Sequence, residues 1–272
     1  MSTARRAGSL VDRLAALGPV AVAFSGGADS ALVLAAAVRA AGPADVLAVT
    51  AHSAGLAAAE LTAARAFAAR LRVTHLTAPA AEPDQSANGR DRCSFCGATV
   101  LGTVTALARS HGIAVVATGT NADDAIGPFR PGSRAGGEAG VVTPLRDEGL
   151  RRAEVRAISR LWGLSTADKP AMPCLAGRVR YGVPVTVATL ARIERAEAAV
   201  RSVLGRRGLV CRRLRVRDLG GRARVELDRP LAERLCHDTE LLGVVRSQGF
   251  AEAAVTVFRS GALNHAPAGP LG

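Results

Sequence analysis

The residue types best suited to chemistry fall into three segments. Ser25-Gly26-Gly27-Ala28-Asp29-Ser30 lies directly between a short apolar run at 19–24 and a helical stretch at 31–40. Glycines let the backbone turn with positive φ and come close to a ligand, and the N–H groups of a helix start, with serine hydroxyls beside them, suit an anion. A pyrophosphate fits such a cradle. Asp29 could hold the Mg²⁺ that accompanies a nucleotide, an ion that takes one or two carboxylates plus phosphate oxygens. The plainer alternative is a strand-to-helix turn capped by Ser25 or Ser30; the whole hexapeptide in a strand–helix context favours the anion site.

Cys93 and Cys96 form a C-x-x-C just ahead of a predicted helix. Two thiolates at that spacing can bind zinc, form a redox pair or supply two ligands of an iron-sulfur cluster, or can simply be packed. Cys174, in the irregular segment Pro173-Cys174-Leu175-Ala176-Gly177-Arg178, is a third candidate ligand. Three thiolates leave one cluster iron open for an extra sulfur. The third segment, Gly119-Thr120-Asn121-Ala122-Asp123-Asp124, follows an apolar strand and continues to Phe129-Arg130-Pro131-Gly132. Ligands of open α/β sheets bind beyond the carboxyl ends of strands, so Asp123 or Asp124 could contact Mg²⁺ or orient ATP. An Asx-turn with solvated acids is the alternative.

The elements that must position these residues alternate. Helical spacing at 9–17, 31–40, 57–71 and 97–111 is interleaved with apolar strands at 19–24, 45–51, 72–77 and 113–120, which predicts parallel strands with crossover helices. The Gly- and Pro-rich stretch 121–140 reads as loop, 151–163 as a further helix, and the two prolines of 169–174 end the regular pattern. Beyond them come a helix at 188–204, strands at 213–218 and 222–228, a helix at 230–247 and a strand at 252–258. The expected architecture is α/β, with a nucleotide-binding domain at 1–168 and a smaller α+β domain at 169–272.

Composition narrows the function classes. The 272 residues are 49% hydrophobic with 21% charge spread throughout, which excludes general disorder, and no 18-residue apolar run suggests a membrane span. Lys169 is the single lysine among 35 Lys and Arg residues, and the net charge of +12 suits phosphates or carboxylates. Five cysteines, an odd number with no secretory signal, fit a reducing cytoplasm better than a disulfide framework. One Tyr and one Trp offer few stacking platforms for single-stranded bases, which disfavours nucleic acid as a partner.

The hexapeptide resembles the PP-loop of the ATP pyrophosphatases. Taken in order, SGGADS, DRCSFCGATV, GTNADDAIGPFRPG, KPAMPCLAGR and YGVPVT are similar to the LarE-like ATP-dependent sulfur transferase family, over about residues 10 to 258. The resemblance implies an adenine nucleotide alpha hydrolase-like sheet and an ATP site at Ser25, Gly26, Gly27, Asp29, Ser30, Gly119, Asp123 and Asp124. It implies adenylation of a carboxylate of pyridinium-3,5-biscarboxylic acid mononucleotide and delivery of sulfur, in nickel-pincer nucleotide biosynthesis. It implies a [4Fe-4S] cluster on Cys93, Cys96 and Cys174 that passes on an iron-bound sulfide, with Cys174 as the sulfur centre and an external sulfide donor. Arg178 is the expected oxyanion donor, Glu197 assists a proton or metal, and Arg215 and Arg217, at alternate strand positions, bind the substrate phosphate or carboxylate; Glu226 matches only weakly. A homo-oligomer is allowed. The sequence departs from the family at Gly177, where Ser is usual, at His52, where Asp is common, and in an insertion at 205–213. A tRNA-thiolating PP-loop enzyme and a non-catalytic nucleotide-binding or iron-sulfur scaffold are the alternative readings.

Overall fold

The computed structural model describes residues 2–80, 88, 92–125, 140–170 and 174–259, without the side chains of 92–95 and 125. Phe129–Gly132, residues 171–173 of the KPAMPC segment and the Cys93 side chain lie outside the described residues. The chain divides into two units, Met1–Pro83 with Asp91–Met172, and Asp84–Arg90 with Pro173–Gly272. Asn88 belongs to the second, donating its side-chain N–H groups to the Arg180 and Val183 carbonyls at 2.7 and 2.6 Å.

In the first unit five parallel strands lie in the order β3-β2-β1-β4-β5: β1 Val20–Ala23, β2 Val46–His52, β3 Thr74–Pro79, β4 Val115–Ala117 and β5 Val141–Val142. Alternation along the strands sorts the core. Val20, Val22, Val46 and Ala48 face one cluster with Leu10 and Leu14 of α1 (Thr3–Ala15), Leu32 and Leu34 of α2 (Ala28–Ala41), Phe67 of α3 (Ala58–Arg70) and Ile158 of α6 (Arg152–Leu161). Ala21, Leu47, Val49 and Val116 face a second cluster with Leu101 and Val104 of α4 (Arg92–Ser110). Helix α2 is buried continuously from Ser30 to Ala37, which explains its unbroken apolar sequence, and each fully buried Leu or Val there contributes about 1.5–3 kcal/mol.

The second unit is a three-stranded sheet in the order β6-β7-β8, from β6 Arg215–Asp218, β7 Arg222–Leu227 and β8 Glu252–Val257. β7 is antiparallel to β6 and parallel to β8. Helix α7 (Val187–Arg206) packs on β6, with Ile193, Ala196 and Val200 buried beside Val216.

Four expectations are corrected. The strand expected at 113–120 is regular only over Val115–Ala117. Helix α4 begins at Arg92, so the C-x-x-C lies inside its first turns and not ahead of it. The stretch 230–247 is two helices, α8 Arg229–Leu235 and α9 Thr239–Arg246, because Asp238 takes the Leu241 N–H at 2.9 Å and starts a new helix. The stretch expected as loop at 121–140 opens with a 3₁₀ turn, Ala122–Ala125, and is followed by β5 and α5 (Pro144–Asp147), elements too short for periodicity to show.

Inside the first unit, Thr50 donates its hydroxyl to the Phe24 carbonyl and meets His75 Nε2 at 2.8 Å, so the residue before the Ser25 loop is held by β2 and β3. Burial, and then the positive Arg65, push the His75 pKa down. The unfolded chain therefore binds a proton that the folded chain resists, so stability is full above the ordinary histidine value and falls as the pH drops below it. Urea midpoints should fall from pH 7.5 to 5.5 in the wild type and fall less in His75→Gln; equal pH dependence would count against this linkage.

Candidate active site

The strand order reverses at β1, whose neighbours on either side are β2 and β4, and the loops after β1 and β4 meet at this switch point. Gly26 has φ +70°, and a Cβ there would stand 3.0 Å from the Ala64 Cβ of α3. A Cβ on Gly119 would stand 2.7 Å from the Ser30 amide nitrogen, closer than real contacts allow, so glycine is what lets the β4 loop pass over the start of α2. Asn121 Nδ2 donates to Asp29 Oδ2 at 3.1 Å and joins the same two loops. The Ser25 and Ser30 hydroxyls are 3.2 Å apart, and Ser30 Oγ lies 3.2 Å from the Gly27 carbonyl. The N-cap of α2 is Gly27, which brings no side-chain cap to the first N–H groups of the helix.

The two acids of the third segment are paired with the start of α6. Asp124, 8% exposed, accepts from Arg152 at 2.5 Å and from the Asn121 N–H at 3.2 Å; Asp123 accepts the Arg152 N–H at 2.9 Å. Both tie the 119–125 loop to the first turn of α6. Asp29 is the acid that stands in the Ser25–Ser30 segment itself.

Sequence reasoning passed over Lys169. Its ammonium donates to the Gly26 carbonyl at 2.9 Å and pairs with Glu60 at 2.7 Å. Arg156 fixes the segment that carries it, donating to the Ala167 and Lys169 carbonyls, both at 3.0 Å. The signal was present in the composition, one lysine where every other cation is arginine.

In the second unit Cys174 is exposed and starts a short 3₁₀ turn, Leu175–Arg178. Its carbonyl accepts the Gly177 N–H and Arg178 Nη1, both at 3.0 Å. Arg178, 1% exposed, also donates to Glu197 at 3.0 Å, and Glu197 takes the Val216 N–H at 3.2 Å and Arg201 at 3.1 Å. Arg217 donates to the Gly177 carbonyl at 3.2 Å and to Glu226 at 2.6 Å. Two buried ion pairs thus clamp the backbone of the turn while the Cys174 thiol faces out. This gives Arg178 and Arg217, expected as oxyanion and substrate contacts, positioning work on the turn, and it makes Glu226 a partner of Arg217.

Arg215 differs. Its guanidinium lies over the Phe258 ring at 4.6 Å and has no hydrogen bond or ion pair among the described residues. Burial and the charges of Arg178 and Arg217 pull its pKa down to about 10, against the opposing pull of Glu226 and Glu197. It stays cationic at neutral pH, under repulsion that an arriving anion would relieve.

Cys96 is half-buried in the first unit, and Cys174 belongs to the second. Among the described residues no group of three or more His, Cys, Asp or Glu side chains is placed to hold a metal ion. No described helix is long and apolar enough to cross a membrane.

Residues 7–172 match the asparagine synthase family. The chain belongs to that family, within the PP-loop ATP pyrophosphatases. It is 37% identical over 251 residues to an uncharacterized protein of Synechocystis sp., covering 89% of this chain and 91% of the relative. It is 30% identical over 267 residues to the pyridinium-3,5-bisthiocarboxylic acid mononucleotide synthase of Lactiplantibacillus plantarum, covering 96% and 94%. This PP-loop chain is therefore an ATP-using enzyme, and its five-stranded parallel sheet is the fold that the family requires.

Proposed function

We propose that this PP-loop enzyme is an ATP-dependent sulfur transferase of a reducing cytoplasm. It adenylates a carboxylate of pyridinium-3,5-biscarboxylic acid mononucleotide and replaces the AMP by sulfur, toward the nickel-pincer nucleotide. The observation that carries the reading is the exposed thiol of Cys174 on a turn whose carbonyls are held by buried Arg178 and Arg217. A nucleophile needs a fixed backbone and an accessible sulfur, and this turn has both. The named activity of the Lactiplantibacillus plantarum relative supports the substrate.

A carboxylate is a poor electrophile. Its oxygen attacks the α-phosphorus of ATP, the bond to the β-phosphate oxygen breaks, and pyrophosphate leaves. Ser25, Gly26, Gly27 and Ser30 would cradle the phosphates, and Asp29 would hold Mg²⁺ together with phosphate oxygens, a donor set that suits the ion. A sulfur nucleophile at Cys174 then attacks the acyl carbon, the carbon–oxygen bond to AMP breaks, and AMP departs with the electron pair; the Cys174 thioester gives the thiocarboxylate when a base takes the Cα proton and the Cβ–S bond breaks with its electrons going to sulfur, which leaves dehydroalanine. Arg215 is the cation for the substrate phosphate or carboxylate. Cys93, Cys96 and Cys174 fit a [4Fe-4S] cluster in donor type, three thiolates; when bound, such a cluster would supply a sulfide in place of the cysteine sulfur.

Cys174→Ala is expected to lower thiocarboxylate formation from ATP, the acid and sulfide by about a hundredfold or more, while substrate-dependent ATP–pyrophosphate exchange continues. Mass spectrometry of the product and the exchange assay read the two halves separately. Full thiocarboxylate formation by the variant would overturn the assignment.

A further inference from the structure

We propose that Arg213 is a further substrate-binding residue: with Arg215, at the ring of Phe258, it takes the phosphate of the mononucleotide acid and makes the enzyme select the phosphorylated compound over its nucleoside. The inference rests on the reading of the substrate as a mononucleotide carboxylic acid and deepens it.

The end of β7 builds the site. Glu226 pairs with Arg215 in the β6–β7 register, which sets that arginine at the start of β6. The Leu227 carbonyl accepts the Phe258 N–H at 2.7 Å and seats the ring just past β8. The Asp228 carboxylate accepts the Arg212 and Arg213 N–H groups at 2.7 and 3.1 Å and pins the backbone from which the Arg213 side chain leaves. Successive residues thus place two guanidiniums and one ring. The guanidinium carbons of Arg213 and Arg215 stand 5.7 and 4.6 Å from the ring centroid.

A phenyl ring holds a guanidinium through its π face and has no hydrogen-bond acceptor, so Phe258 orients both arginines without consuming an N–H donor. Among the described residues neither side chain makes a hydrogen bond or an ion pair. Arg178 and Arg217 differ, with donors given to Glu197 and the Cys174 carbonyl, and to Glu226 and the Gly177 carbonyl. The planar forks of Arg213 and Arg215 are therefore open to the oxygens of a tetrahedral phosphate. Arg215 is half-buried and repelled by Arg178 and Arg217, while Arg213 is exposed, so an anion reaches the pair from solvent and relieves the repulsion. A dianionic phosphomonoester suits two such cations better than a single carboxylate does. Arg213 also closes the 205–213 stretch in which the sequence departs from its family, so this cation is a feature of the chain that the family resemblance does not carry.

Isothermal titration of pyridinium-3,5-biscarboxylic acid mononucleotide, and of the nucleoside that lacks its phosphate, into the full chain tests the proposal. Arg213→Gln should weaken mononucleotide binding by about tenfold or more, the worth of one hydrogen bond to a charged group, and leave nucleoside binding and the melting temperature unchanged. Phe258→Leu, which keeps an apolar side chain and removes the π face, should weaken the mononucleotide alone by a few-fold, and an indifferent Phe258→Leu overturns the part given to the ring. Equal loss of both ligands in Arg213→Gln would mean that the residue only shapes the unit, and no loss would mean that it does not meet the phosphate. Either overturns the proposal, as does a wild type that binds mononucleotide and nucleoside alike. If the wild type binds neither ligand, the substrate reading itself falls and takes this inference with it; a preference for the mononucleotide that survives in Arg213→Gln removes the inference alone.

Discussion

Glu197→Ala is expected to destabilise the second unit by about 3–5 kcal/mol, the usual consequence of removing one partner of a buried ion pair. Glu197 is 2% exposed, and its two oxygens accept from Arg178, Arg201 and the Val216 N–H. Alanine removes from Arg178, itself 1% exposed, the buried carboxylate it pairs with at 3.0 Å. It also removes an acceptor from the backbone of β6. Because Arg178 holds the Cys174 carbonyl, the damage should extend to the 174–178 turn. Hydrogen exchange of amides in α7, β6 and the turn should quicken together, and the urea midpoint should drop. A glutamate that served only the substrate would leave stability within about 0.5 kcal/mol of the wild type, and that result would return Glu197 to the catalytic role that the resemblance implies.

The elements of the first unit were legible because their signals are local. The run at 19–24 and the apolar helix after it are neighbours of the hexapeptide in sequence and in space, so strand, turn and helix could be read from a dozen residues. The period-two alternation of β2 likewise sorts Val46 and Ala48 to one core and Leu47 and Val49 to the other. Partner choice was not legible. Arg178 and Arg217 look like substrate cations in one dimension, and only the folded second unit shows that Glu197, Glu226 and the turn carbonyls occupy them. Register explains part of this, since pairing Arg215 with Glu226 and Arg217 with Arg224 follows from the β6–β7 turn and not from residue type. The partners of Asp123 and Asp124 were not legible for a related reason: Arg151 and Arg152, which follow after the 126–139 stretch, lie beside them in the fold. Lys169 was visible as a number and invisible as a contact, because nothing near it in sequence points to Gly26.

Arg215→Met should separate function from stability with opposite signs. Methionine keeps an apolar contact with the Phe258 ring through its polarizable sulfur and removes the charge. In the absence of ligand the wild-type guanidinium is half-buried and repelled by Arg178 and Arg217, which is why its pKa falls to about 10. The sign follows: the folded chain holds this proton less tightly than the unfolded chain, so at neutral pH the charge opposes folding, and the deficit disappears only as the pH rises from about 10 toward the ordinary arginine value. Removing the charge should therefore raise the melting temperature by about 2–4 °C, the shift expected for roughly 1 kcal/mol in a chain of this size. Inorganic phosphate should stabilise the wild type and have little effect on the variant, and the KM for the acid substrate should rise by about tenfold or more with a smaller change in kcat. A variant that melts lower than the wild type would show that Arg215 is structural, like Arg178 and Arg217. A variant that melts higher and no longer responds to phosphate would show that the fold tolerates an uncompensated cation here because its partner is the substrate.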